Sequence, residues 1–442
     1  MTFEDSSGYS GEAERLERPS SVSEVSAILA EASRTGTPVT VAGAGTGVTG
    51  GAVPAGGIVL SLERFRRLEI GAGEARAGAG LLLHELQTAA RKAGRFYAPD
   101  PTHNAAALGG TIANNASGSR SFRYGSTRRH LKSLLVAFAD GAVRELARGS
   151  AIDFEVTPVR RPATTKHQAG YQLAPGMDWV DLICGSEGTL GVVLEATFGL
   201  LPAPGERLSG VVFFPAEELA MDAIDAWRGV PELCMLEYVD AASLRLIDGP
   251  KAGAALLIEQ EHPDEDEWLA RLEAAGALEE ESWFGTAEAD RERFRKFRHA
   301  LPEKVNDTVR RRGYLKMGTD YAVPIARHRD MLAHYRAGLA EFPGDAVVYG
   351  HVGDGHLHVN MMPANDGEKE QSWGLMQTWA ADAVALGGTV GAEHGLGKRK
   401  RHFLPFLYSE AEIEGMKAVK RRLDPKWLLG RGNLFPMSPE HP

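Results

Sequence analysis

The sequence predicts an α+β protein built from two unlike halves. Three observations predict it. Glycine, 51 of 442 residues, is gathered into clusters in the first half. A proline pair, Pro202 and Pro204, closes that half. Beyond it, short apolar strands alternate with charged helical stretches, which suits an α+β or α/β second domain. Expected boundaries are therefore residues 1–204, 205–404 and a C-terminal helical segment, 405–442, that packs back on the first domain.

The elements follow from local chemistry. Ser21 and Glu24 form an S-x-x-E capping box, and Val22, Val25, Ile28, Leu29 and Ala32 repeat at helical spacing until Gly36. Pro38 to Ala42 and Ile58 to Leu62 read as buried strands. Leu81 to Lys92 is a helix stopped by Gly94. Leu134 to Ala139 and Ala142 to Leu146 flank Asp140-Gly141, a favoured hairpin pair. Val192 to Leu201 is a strand. In the second half, Val211–Phe214, Cys234–Tyr238, Ala254–Glu259 and Val347–His351 are strand-like. Helical stretches lie near 216–228, 264–276, 287–300 and 325–341.

Composition excludes several classes. Lys and Arg number 49 against 59 Asp and Glu, a net charge of −10, the wrong sign for a general nucleic-acid binder. The two cysteines, Cys184 and Cys234, form no redox or zinc pair and no iron–sulfur run. The polar, acidic N-terminus lacks an apolar signal core, and no stretch reaches membrane-span length. A cytoplasmic location is expected, with peripheral membrane association open.

The chemistry lies in four clusters. VAGAGTGVTGGAVP (41–54) satisfies G-x-G-x-x-G at Gly45, Gly47 and Gly50 after a strand. A dinucleotide fingerprint must open a helix. Gly50, Gly51, Pro54, Gly56 and Gly57 allow none, so the reading is a loop whose backbone N–H groups form a phosphate nest. The second cluster, Asp100 to Gly125, is rich in small residues that suit close approach to a planar cofactor. CGSEGTLG (184–191) is the third. The fourth, YGHVGDGHLHVN (349–360), puts His351, His356 and His358 within eight residues. HLHVN alternates, so His356 and His358 share a face, and a tight Gly353/Gly355 turn can return His351 toward them. With Glu393-His394, such a set suits an open divalent-metal site or catalysis. A zinc hydrolase would compete, but no H-E-x-x-H occurs.

Taken together, GAGTGVTGGAVP, DPTHNAAALGGTIANNASG with RYG, and GSEGTLG resemble the flavin domain of the vanillyl-alcohol oxidase/p-cresol methylhydroxylase superfamily, in its D-lactate, glycolate and D-2-hydroxyglutarate dehydrogenase branch. The resemblance runs from Pro19 to Phe435. It implies a two-subdomain FAD-binding domain of the p-cresol methylhydroxylase type and an α+β substrate (cap) domain with an antiparallel sheet. FAD would be held by Gly43, Ala44, Gly45, Thr46, Gly47 and Gly50, by Pro101, Gly109, Gly110, Asn114, Ser117, Gly118, Tyr124 and Gly125, and by Glu187, Gly188, Gly191 and Asn433. Thr46 stands where covalent members carry a loop His, which implies non-covalent FAD. Ala42 replaces the usual Arg before the glycines, so one phosphate-neutralising charge is missing or comes from elsewhere.

The resemblance also implies a divalent metal, zinc first, on His351, His358 and Glu393. It makes His394 the base, Arg298 the carboxylate-binding group, and Lys316 and Asn360 substrate-side residues. Many members have Asn at His356, whose role stays open. On the residues alone, Arg298 equally suits a solvated helix face beside Arg291, Arg293, Arg295 and Lys296, and Lys398 to Arg401 a solvated run that steers anions. A Thr of some 2-hydroxyglutarate enzymes falls on Pro302. The implied reaction is oxidation of a D-2-hydroxy acid, D-lactate first, with glycolate and D-2-hydroxyglutarate as alternatives. Electrons would leave to a separate quinone, cytochrome, electron-transfer flavoprotein or iron–sulfur subunit. The rival classes are a flavin-binding subunit without catalysis of its own and a nicotinamide dehydrogenase.

Overall fold

The computed structural model describes residues 1–436; residues 437–442 of the expected C-terminal segment lie outside the described residues. The helix Val22–Thr35 begins at Ser21, whose hydroxyl accepts from the Glu24 amide, and ends at Gly36 in a left-handed conformation. The expected box differs in one bond. The Glu24 carboxylate accepts from the amide of Ser20, one residue beyond the cap. Such a cap stabilises a helix by about 1 kcal/mol. The buried face of this helix, Val25, Leu29 and Ala32, covers a parallel sheet of Arg15–Glu17, Ile58–Ser61 and Val39–Ala42.

A second sheet of the first half is antiparallel, in the order Val143–Ala147, Leu131–Ala137, Val192–Gly199, Glu74–Gly78, Leu68–Ile70. Its hairpin turns more widely than Asp140-Gly141 alone would give. The first strand ends at Ala137, and Gly141, at φ +88°, donates to the Phe138 carbonyl. A Cβ on Gly141 would meet the Ser26 carbonyl at 2.5 Å, so the turn is held close against the first helix.

The second half is organised on a seven-stranded sheet. Its order is Trp283–Gly285, Arg207–Phe214, Ala254–Glu261, Leu233–Asp240, Asp345–His351, His356–Met362, Met317–Gly318. Every adjacent pair is antiparallel. The central strands read as continuous apolar runs because both faces are covered. Helix Glu217–Trp227 lies toward one core, and Glu288–Arg312, through Phe294, Leu301, Val305 and Val309, closes the other. That last helix runs for 25 residues, through Pro302, where periodicity suggests an end near 300. A proline removes one hydrogen bond and strains the preceding turn. The buried apolar residues on both sides of it carry the helix through.

The C-terminal stretch contains Leu404–Leu407 and Glu410–Leu423 and then returns to the first half. Leu429 bridges Val39 in parallel, and the Val39 amide donates to Leu428. Lys420, buried among the Thr189 and Leu429 carbonyls and the Asp424 carboxylate, fixes the return. Among the described residues no helix is long and apolar enough to cross a membrane.

Candidate active site

One cavity of about 900 Å³ joins the glycine loop to the histidine cluster. That is at the upper end of the range for small-molecule sites. Its wall takes Gly43 to Thr49 from the loop after strand Val39–Ala42, Pro101, Gly109, Gly110, Asn114, Ser117 and Gly118 from the second cluster, and Glu187, Gly188 and Gly191 from the third. The far end is lined by Arg298, Lys316, His351, His358, Asn360, Glu393 and His394. Ser117 and Glu393, 276 positions apart, meet there at 2.8 Å.

The cradle fits a large phosphate-bearing cofactor. A Cβ added at Gly45, Gly47, Gly110 or Gly188 would touch no protein atom within 4 Å, so each leaves cavity space that a side chain would take. Gly45 also holds φ +71°. Among the described residues no protein acceptor takes the amides of Ala44 to Thr49, which leaves them for an anion.

Four expected cofactor residues stand behind the wall instead of on it. Gly50 donates its amide to Asp5 and accepts from Lys398 at its carbonyl. Asn433 ties Gly51, Glu187 and Lys398 together. The Tyr124 hydroxyl is 2.5 Å from Glu261 of the cap, and Gly125, at φ +77°, abuts Arg129. These residues shape the cradle from outside. Glu187 lines the cavity, yet its carboxylate accepts from the Leu396 and Gly397 amides at 2.9 and 2.6 Å. Burial pushes it up to about 7.

The basic run 398–401 is not the solvated face its composition suggests. Lys398 bonds Gly50 and Asn433, Arg399 bonds the Val48 carbonyl, and Lys400 bonds the Gly318 carbonyl. Lys398 and Arg399 thus bring positive charge to the loop in which Ala42 offers none.

The histidine cluster is built on a hairpin. His351 ends one strand, Val352–Asp354 makes a tight turn, Gly355 takes φ +65°, and His356 begins the next strand opposite His351. His358 follows on the same face, its ring 4.3 Å from that of His356. The Glu393 Oε2 atom lies 3.4 Å from His351 Nε2, 3.8 Å from His358 Nε2 and 4.0 Å from His356 Nδ1. Its Oε1 atom is held by Lys166 at 2.6 Å and Ser117 at 2.8 Å. All four residues could offer one ligand atom to a single ion.

The electrostatics fit a cation. Burial opposes charge on Glu237, Asp320 and Glu393. Arg298 and His351 nevertheless hold Glu237 well below the usual carboxylate range. His394 and His356 do the same for Asp320, and Lys166 and His351 for Glu393. Four carboxylates, with Asp354 3.3 Å from Lys166, thus gather round the imidazoles beside Arg298 and Lys166. Together with the unpaired, fully buried Nδ1 of His356, this is a donor set suited to a divalent ion.

His394 is half-open to the cavity, and its Nδ1 lies 3.1 Å from Asp320 Oδ1. The other oxygen of Asp320 accepts from the backbone amide of His394 at 3.0 Å. Gly395, at φ +70°, lets the chain turn directly afterwards beside Glu187. The Arg298 side chain is 15% exposed, against 52% for Arg295 one turn earlier, and grips Glu237 through Nε and Nη2 at 2.7 and 2.9 Å. Held on Glu237 at the cavity wall, it does not stand on the solvated helix face that its basic neighbours suggest. Burial, reinforced by Lys400 and Arg399, pushes Lys316 down to about 8. The Asn360 amide nitrogen is buried on the cavity wall without a partner.

Sequence reasoning missed Glu237, Asp320 and Lys166. Glu237 carried a signal, a carboxylate inside the apolar run Leu233–Asp240. Lys166 carried none, because only the fold brings it 227 positions across to Glu393.

The FAD binding domain profile matches residues 13–147, and the profile for the C-terminal domain of FAD linked oxidases matches residues 203–434. The chain belongs to the FAD-linked oxidase family. This FAD-linked oxidase is an FAD-dependent oxidoreductase. It is 31% identical to a D-lactate dehydrogenase of Archaeoglobus fulgidus over 94% of this chain and 90% of that one. It is 32% identical to a D-2-hydroxyglutarate dehydrogenase of Xanthomonas citri pv. viticola over 94% and 88%. Glycolate oxidase subunit GlcD of Bacillus subtilis is 29% identical over the same shares. Alkyldihydroxyacetonephosphate synthase shares the fold, with a TM-score of 0.65 at 16% identity over 94% of this chain and 75% of that one.

Proposed function

We propose that this FAD-linked oxidase oxidises a D-2-hydroxy acid, with D-lactate as lead substrate, to the 2-oxo acid. One observation carries the reading: a single cavity runs from the free amides of the glycine loop to the His394–Asp320 pair and the imidazole cluster. The names of the relatives support the substrate class. When bound, non-covalent FAD supplies the hydride acceptor, and a divalent metal, zinc first, supplies a Lewis acid for the hydroxyl.

The chain's own residues do the rest. His351, His358 and Glu393 would hold the ion. Asp320, on Nδ1, orients the His394 ring so that Nε2 takes the hydroxyl proton. Lys316 and Arg298 supply positive charge for the carboxylate, and the Asn360 amide donates to a substrate oxygen. Glycolate or D-2-hydroxyglutarate is the alternative substrate. Pro302 on the cavity wall, in place of a hydroxyl-bearing residue, favours the smaller acids. Electrons then pass to a separate quinone, cytochrome, electron-transfer flavoprotein or iron–sulfur subunit, in the cytoplasm or at a membrane surface. A two-subdomain flavin-binding part, 1–204, and a cap, 205–404, belong to this reading, and the Val39–Leu429 bridge supports a C-terminal return.

The test is the visible spectrum of the purified protein under anaerobic conditions. Bleaching of bound flavin by D-lactate, with L-lactate inert, is the expected result. A flavin that D-lactate, glycolate and D-2-hydroxyglutarate all leave oxidised overturns the reading.

A further inference from the structure

The three imidazoles of the hairpin are prepared in the same way. Each has one ring nitrogen turned to an outer partner and the other turned to Glu393. His351 Nδ1 lies 2.7 Å from Glu237 Oε1, which leaves Nε2 facing Glu393. His358 Nδ1 lies 3.1 Å from the Thr319 carbonyl, which leaves Nε2. His356 Nε2 lies 3.2 Å from Asp320 Oδ1, which leaves Nδ1. An outer carboxylate or carbonyl that fixes the tautomer of an imidazole is what a metal-ligating histidine requires. A buried imidazole nitrogen without a partner is costly in a core. His356 has no solvent exposure, and neither ring nitrogen completes a hydrogen bond within the protein; Nε2 lies 3.2 Å from Asp320 Oδ1 and Nδ1 4.0 Å from Glu393 Oε2. The neighbouring apolar positions Leu357 and Val359 point to the opposite face, so backbone register alone commits His356 to the cluster.

We propose that His356 is a third imidazole ligand of the metal centre, through Nδ1, so that three histidines and Glu393 hold the ion. This rests on the metal reading given above. Two consequences follow from the geometry. A fourth protein donor leaves the substrate fewer open positions than His351, His358 and Glu393 alone would. Asp320 Oδ1 also becomes shared between a ligand, His356, and the base, His394, at 3.2 and 3.1 Å, so ligand and base are aligned by one carboxylate.

The experiment uses flavin-loaded protein stripped of metal by a chelator and titrated with Co(II). It is done for the wild type and for His356→Asn, His356→Gln and His351→Ala. Flavin absorbance and circular dichroism report on folding, and two substitutions at 356 guard against a single misfolded variant. The readouts are Co(II) affinity, by competition with a chromophoric chelator, and the visible d–d bands. Both 356 variants are expected to bind Co(II) at least about 10-fold more weakly and with altered bands. Wild-type affinity and bands in either folded 356 variant, with binding lost in His351→Ala, overturn the proposal and leave the metal reading standing. A wild type that binds no Co(II) overturns both.

Discussion

His394 Nδ1 stands 3.1 Å from Asp320 Oδ1, and Asp320 has no solvent exposure. The second oxygen of Asp320 holds the His394 backbone amide, so ring and main chain are fixed by one carboxylate. The free Nε2 must then face the cavity. His394→Ala should slow flavin reduction by 2-hydroxy acid by roughly 10²- to 10⁴-fold, measured by anaerobic stopped flow. Asp320→Asn, which keeps the shape and loses the charge, should slow it by roughly 10- to 100-fold. Wild-type reduction rates in His394→Ala would remove the base assignment.

Lys316 lines the cavity, where burial pushes its ammonium down to about 8. The ammonium is present below that value and is lost as pH rises through it. If it binds the carboxylate, KM should climb above pH 8 while kcat changes less. Lys316→Arg, which stays charged, should flatten the climb. A KM that is flat from pH 7 to 9.5 in the wild type would exclude that role.

Gly45 has open cavity where a side chain would stand, and a positive φ. Gly45→Val should therefore fold and lose flavin, by occupying the cradle and straining the loop. The flavin-to-protein absorbance ratio of the purified variant measures it. Full flavin occupancy would place the cofactor elsewhere.

Arg120 clamps the two halves. Its guanidinium meets Glu259 of the cap sheet at 2.6 and 3.0 Å and Asp100 at 2.6 Å. Glu259 is buried. Arg120→Ala would leave that carboxylate uncompensated, a loss of about 3–5 kcal/mol. The urea midpoint should fall, and Arg120→Lys should recover part of it. An unchanged midpoint would show that Glu259 finds another partner, such as Arg207, whose charge it already stabilises.

Much of this molecule was written in its sequence. Period, caps and breakers fix the helix after Ser21, the strands at 39–42 and 58–61, and the hairpin through Gly141, because those signals act over a few neighbouring residues. The glycine loop announces a ligand by its backbone, and the histidine hairpin by its alternation, which are also local facts. Tertiary structure alone decided what those groups meet. It turned Arg298 onto Glu237 while leaving Arg295 outside, and set Lys398 and Arg399 against the loop instead of in water. It carried a helix through Pro302 by packing on both sides of it. It also brought Lys166, Asp320 and Glu393 together from three distant stretches, since a buried charge takes its state from its neighbours in space, and sequence order does not say who they are.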